Sequence, residues 1–270
     1  MQNQRTIVVV PCYNEANRLK TDRFLEFMNE QKHCELLFVN DGSTDNTWLT
    51  LQFLASNSER ISAVNLPVNV GKAEAVRHGL LLALERSPTY VAYWDADLAT
   101  PIEAVQRFER SLAELPDIFM VLGCRIRLRG HAVRRRIPRR IAGQCFAAAA
   151  SGVLGMRVRD TQCGAKMFRC CAELGRAFAK PFRSRWIFDV ELISRLQVVL
   201  GQRSKDAFLE LPLFQWTEIE GSKIKISDWL VAAGDLIRIG TSRPDVGDSE
   251  IKKMHLLPPI VSNVHQKKAA

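Results

Sequence analysis

The chain has 270 residues, 47% of them hydrophobic, and a formal net charge of +9. That much apolar material can bury a full core as one large domain, which excludes a disordered chain. The charge is uneven: Arg125, Arg127, Arg129, Arg134, Arg135, Arg136, Arg139 and Arg140 crowd together with no Asp or Glu between Asp117 and Asp160, so an anionic partner is expected there.

Thr6 to Pro11 reads as a buried strand that runs into Pro11-Cys12-Tyr13-Asn14-Glu15, and Ala16 to Gln31 follows as a helix. The next strand, Glu35 to Asn40, ends in Asn40-Asp41-Gly42-Ser43 and leads to a helix over Thr44 to Ser56. A third strand, Ile61 to Leu66, precedes Asn69-Val70-Gly71-Lys72, which opens a helix to Arg86. Tyr90 to Asp95 forms a fourth strand ending in Asp95-Ala96-Asp97, followed by a helix from Pro101 to Leu115 and a fifth strand from Ile118 to Cys124. This alternation predicts an α/β fold with a mostly parallel sheet flanked by helices. In such sheets the ligand crevice lies beyond the carboxyl ends of the strands, and four polar loops point there.

Past Arg125 the alternation weakens into the basic segment, a small-residue helix over Ile141 to Leu154, and Asp160-Thr161-Gln162-Cys163-Gly164. This part is expected to complete the site within a single domain spanning 1–241, with 242–270 as a loosely ordered tail. The longest weakly polar stretch, Ile141 to Met156, is interrupted by Gln144 and Ser151 and falls short of the roughly 20 residues a spanning helix needs. Seven cysteines without a Cys-x-x-Cys pair, and no basic-then-apolar leader, suggest a reducing, cytoplasmic setting.

Asp95 and Asp97, two apart at a strand end, repel one another unless a cation or donors fill the gap, and hard oxygen ligands favour Mg²⁺ or Mn²⁺. The plainer alternative is a helix cap or a solvated turn. Asp41 is placed to accept hydrogen bonds from a nucleobase or ribose, while Ser43 or Asp45 caps the next helix. Lys72 in a first helical turn suits an anion, or is merely solvated. The arginine run lacks interleaved aromatics, which disfavours nucleic acid. With Ile141 to Leu154 it suits attachment to an anionic membrane surface, although a soluble amphipathic helix has the same spacing.

Val9-Val10-Pro11-Cys12-Tyr13-Asn14-Glu15, Val39-Asn40-Asp41-Gly42-Ser43-Thr44-Asp45, Asn69-Val70-Gly71-Lys72 and Asp95-Ala96-Asp97, in this order, resemble family 2 glycosyltransferases of the GT-A fold. Gly123-Cys124-Arg125, Asp160 to Phe168, Trp186 to Leu192 and Gly221-Ser222-Lys223-Ile224 resemble the dolichyl-phosphate glucosyltransferase branch. The resemblance implies a Rossmann-like GT-A domain with a nucleotide-sugar-binding half over 1–124 and an acceptor-side half over 125–241. It assigns Pro11, Tyr13, Glu15, Asp41, Lys72, Asp95 and Ala96 to the nucleotide sugar, Asp97 with Asp95 to the metal, and Asp160 and Gln162 to the reacting centre. Arg125, Arg139 and Lys223 become candidates for an acceptor phosphate.

The expected reaction is inverting transfer of a hexose, with UDP-glucose as donor, to a polyprenyl phosphate by a peripheral protein at the cytoplasmic membrane face. An anionic phosphate needs no general base, whereas a hydroxyl acceptor would need one, with Asp160 as candidate. A soluble enzyme with a hydroxyl acceptor and a catalytically silent nucleotide-sugar-binding or scaffold module are the alternatives.

Overall fold

A computed structural model describes residues 4–126, 128–134, 137–217, 226–247 and 260–261, the side chains of 134, 137–139, 226–230, 260 and 261 excepted. The strands are β1 (Thr6–Cys12), β2 (Cys34–Asp41), β3 (Ile61–Leu66), β4 (Tyr90–Trp94), β5 (Met120–Cys124), β6 (Ala132–Arg134), β7 (Ala165–Arg169), β8 (Phe208–Pro212), β9 (Gln215–Thr217) and β10 (Ile260–Val261). The helices are α1 (Thr21–Glu30), α2 (Thr47–Asn57), α3 (Lys72–Glu85), α4 (Val105–Glu114), α5 (Ile137–Leu154), α6 (Ala172–Phe178), α7 (Phe188–Leu200) and α8 (Ile226–Thr241).

Eight strands form one sheet in the order β10-β3-β2-β1-β4-β7-β5-β8, and β6 pairs with β9. β1 lies parallel to both β2 and β4, with Val8 opposite Leu36 and Ala92. Its sequence is apolar at successive positions because both faces are covered. Ile7 and Val9 join a core with Val76 and Leu80 of α3 and Ile193 of α7, whereas Val8 and Val10 face Phe24 of α1, Leu54 of α2 and Phe108 of α4. The alternating faces of one strand thus seat two helical layers.

The parallel αβ half matches the expected elements, with boundary shifts that have local causes. α1 starts at Thr21, not Ala16, because Glu15 O accepts from Arg18 N and Leu19 N at 2.9 Å and Asp45 Oδ2 takes the Ala16 N–H at 3.3 Å. The second half contributes β7, which enters the same sheet antiparallel between β4 and β5. Of the stretch expected as a tail, residues 242–247 and 260–261 are described. Gly247 N donates to Arg176 O at 3.0 Å, Asp245 pairs with Lys180 at 2.9 Å, and β10 extends the sheet edge along β3.

Candidate functional site

The loops that follow β1 and β2 are stitched together by side chains. Asn14, in the left-handed region at φ 52°, receives the Thr44 N–H on Oδ1 at 2.9 Å and donates its own N–H to Ser43 Oγ at 3.0 Å. Glu15 N donates to Thr47 Oγ1 at 2.7 Å, and the Glu15 carboxylate holds Arg18 Nε at 2.9 Å. Gly42 is required beside them: its φ is +60°, and a Cβ would stand 2.3 Å from the Val68 carbonyl carbon.

Asp41, 2% exposed, closes the loop before α3. Its carboxylate accepts Val70 N at 2.8 Å, Gly71 N at 2.9 Å and Asn69 Nδ2 at 3.0 Å. Burial raises its pKa, opposed by the Val70 and Gly71 N–H groups and by Arg185. The loop so fixed sets Lys72 at the start of α3, with Nζ 2.5 Å from Asp95 Oδ1. Burial lowers the Lys72 ammonium, but Asp95, Asp189 and Asp97 outweigh it and leave the pKa above the ordinary lysine value.

Asp95 and Asp97 flank Ala96 just past β4. Asp97 Oδ1 accepts Ala99 N at 2.9 Å, and Leu98 turns through φ 53°. Burial and then the like charge of Asp95 raise the Asp97 pKa, opposed by the Ala99 N–H and by Lys72. An all-oxygen pair of this kind fits a divalent Mg²⁺ or Mn²⁺. The Asp95 carboxylate itself is seated on Gly164, where a Cβ would fall 1.8 Å from Oδ2, and Asp95 N donates to Gly164 O at 2.8 Å.

These side chains line one cavity of about 210 Å³. Pro11, Tyr13, Glu15 and Asp41 come from the first two strand ends, and Lys72, Asp95, Ala96 and Asp97 close the other side. Every residue expected to hold the nucleotide sugar or metal is therefore at this cavity. Cys12 also lines it; burial, then Glu15, pushes its thiol well above the ordinary range.

The other expected residues have different neighbours. Arg125 and Asp160, given separate roles by resemblance, hold each other: Nε reaches Oδ2 and Nη2 reaches Oδ1, both at 2.7 Å, and Arg125 N donates to Oδ2 at 2.9 Å. Burial lowers the Arg125 pKa, but Asp160 outweighs it and raises the group above its usual value. Gln162 stands in the same loop, two residues before Gly164, with Nε2 3.5 Å from Thr161 Oγ1. The Arg139 side chain and Lys223 lie outside the described residues.

The site also rests on residues that the sequence reading passed over. Lys166, 0% exposed on β7, pairs with Asp189 of α7 at 2.9 Å, and Tyr93 donates to the same Asp189 oxygen. A charge at a core position of an apolar strand, Ala165-Lys166-Met167-Phe168, is the signal that marks it. Away from this cavity, His33 Nε2 and Cys34 Sγ meet Glu109 at 3.0 Å and 3.6 Å, where a metal ion could be held.

The pattern of Glycosyl transferase family 2 matches residues 7–172. A dolichyl-phosphate beta-glucosyltransferase of Trichomonas vaginalis is 34% identical over 249 residues, covering 87% of this chain and 70% of the relative. The enzyme of the same name from Mus musculus is 33% identical, with 86% and 74% covered. Among solved structures, glucosyl-3-phosphoglycerate synthase from Mycobacterium tuberculosis, crystallised with Mn²⁺, UDP and glucosyl-3-phosphoglycerate, superposes with a TM-score of 0.62 at 20% identity, covering 91% of this chain and 82% of that one. A mannosyltransferase from Pyrobaculum calidifontis in complex with GDP-Man and Mn²⁺ superposes at 0.55 with 20% identity, covering 87% and 62%.

Proposed function

We propose, from the premise that this chain belongs to glycosyl transferase family 2, that it moves glucose from UDP-glucose to a polyprenyl phosphate of the dolichyl type, with inversion. The protein acts peripherally at the cytoplasmic face of a membrane. The observation that carries the reading is the single cavity in which Asp95, Asp97 and Lys72 face Pro11, Tyr13, Glu15 and Asp41. The names of the curated relatives support the acceptor and the sugar, and the Mn²⁺ and UDP of the mycobacterial neighbour support the donor and the metal.

Asp41 and Tyr13 would face the nucleoside, and Asp95 and Asp97 would hold Mg²⁺ or Mn²⁺. That ion, when bound, supplies positive charge to the departing diphosphate. Lys72 adds a second cation at the amino end of α3, where backbone N–H groups also favour an anion. The attacking oxygen of a phosphate is already ionised near neutral pH, so positioning replaces proton abstraction. Asp160, the base a hydroxyl acceptor would call for, is already engaged by three donors of Arg125. That engagement favours the phosphate acceptor.

Membrane attachment is supported by two adjacent helices. α8 packs on α5, and the pair exposes Ile141, Val231 and Ile237, at 53%, 54% and 67%. No described helix is long and apolar enough to cross a bilayer. Exposed apolar side chains on helices that follow the arginine run in sequence suit the interface between head groups and acyl chains.

Thermal shift against UDP-glucose, GDP-mannose and the free nucleotides, each with Mg²⁺ or Mn²⁺, tests the donor. A ligand at 100 times its Kd stabilises by about 2.7 kcal/mol. UDP-glucose with Mn²⁺ is expected to shift the wild type and not Asp97→Ala. A shift only with guanine nucleotides, or an equal shift in Asp97→Ala, contradicts the proposal.

A further inference from the structure

Behind the end of β4 lies a buried charge cluster that the proposed transfer does not use. Lys166 Nζ stands 2.9 Å from Asp189 Oδ1, donates to the Cys163 carbonyl at 2.6 Å, and lies 5.1 Å from the centre of the Tyr93 ring. Lys166 and Tyr93 are 0% exposed and Asp189 is 5% exposed. Removing two charges from water costs several kcal/mol each, and apolar side chains of similar size often do as well in a core. Stability alone is thus a weak reason for the pair.

One connection leads from it to Asp95. The Cys163 carbonyl that Lys166 holds precedes Gly164, which receives the Asp95 N–H at 2.8 Å and leaves no room for a Cβ between itself and the Asp95 carboxylate. Where this turn goes, Asp95 goes.

We infer that Lys166 is a positioning residue: with Asp189 and Tyr93 it anchors the Cys163–Gly164 turn that seats Asp95. The inference rests on the reading of Asp95 and Asp97 as the donor-metal site. It differs from a purely structural role, in which the pair only joins β7 to α7 and its loss changes stability but not the affinity of the folded protein.

The test measures Mn²⁺ affinity in the presence of UDP, from the electron paramagnetic resonance signal of free Mn²⁺, beside the melting temperature and the KM for UDP-glucose. Lys166→Met strands Asp189, so Lys166→Met/Asp189→Asn, which removes both charges, carries the comparison. Outer groups that orient metal ligands typically set about 10-fold or more in affinity. The double variant is expected to melt close to the wild type and to bind Mn²⁺ about 10-fold more weakly, with KM raised. Wild-type affinity in the folded double variant overturns the inference. If that variant does not fold, Tyr93→Phe decides: weaker Mn²⁺ binding supports the anchoring role, and unchanged binding overturns it. Wild-type protein that binds no Mn²⁺ with UDP would instead defeat the metal-site reading itself, which separates the two failures.

Discussion

Gly164→Ala probes the seat of Asp95 with one methyl group. The added Cβ would stand 1.8 Å from Asp95 Oδ2 and 2.0 Å from Cγ. Nonbonded heavy atoms settle at about 3.5 Å, so the carboxylate must retreat by roughly 1.5 Å or more. The alternative is to part the loop from the strand end, which breaks the 2.8 Å bond from Asp95 N to Gly164 O. A misplacement on the order of 1 Å in a reacting assembly costs about 100-fold, or ~2.7 kcal/mol in the barrier. The Asp95 side chain is 33% exposed and can rotate outward, so the fold is expected to survive. Steady-state kcat/KM for UDP-glucose, with the melting temperature, reads both effects. Gly152→Ala on α5 is the control, because its added methyl meets nothing within 4 Å beyond the adjoining residues and backbone of its own helix. That helix position is expected to gain up to about 1 kcal/mol without loss of turnover. Gly164→Ala with wild-type kcat/KM would refute the placement of Asp95 at the reacting centre.

Asp160→Asn breaks the pair with Arg125, whose side chain is 14% exposed, and is expected to cost about 3 kcal/mol in urea unfolding. Its activity loss with a phosphate acceptor should not track a carboxylate ionisation; an acidic limb present in the wild type and absent in the variant would restore Asp160 as a base. Ile237→Glu, at a 67% exposed position, should lower sedimentation with anionic liposomes, and wild-type binding should fall as salt screens attraction over roughly 8 Å; unchanged binding removes α8 from the interface. Glu173, hydrogen-bonded to Cys171 and paired with Arg203, has its pKa lowered to about 2. A depressed folded pKa adds stability above the unfolded glutamate value that is lost as pH falls toward about 2, so the deficit of Glu173→Gln at pH ~7 should vanish over that interval. A constant deficit across it would exclude the linkage.

The strand-end loops that line the cavity were legible because each element announces itself locally. Uninterrupted apolar strands such as Ile7 to Val10 signal burial on both faces, and the polar residues immediately after them mark the crevice. Asp41 shows what local reading leaves out: its carboxylate was expected to face a nucleoside, and in the fold it caps the loop before α3 through contacts 28 to 30 residues away. The Arg125–Asp160 pair joins residues 35 apart, and a sequence pattern gives each a charge without giving it a partner. β7 enters antiparallel between β4 and β5, a choice made by long-range packing rather than by its own five residues. The same strand hides Lys166, whose burial has meaning only once Asp189 is beside it.

Transfer of radiolabelled glucose from UDP-glucose to dolichyl phosphate, in mixed micelles with Mn²⁺, tests the proposed reaction most directly. The expected product is lipid-extractable, forms only when both substrates are present, and falls on the order of 100-fold or more in Asp97→Ala that retains its fold. Glucose transferred to a water-soluble hydroxyl acceptor and none to the lipid, or full lipid labelling by Asp97→Ala, would contradict it.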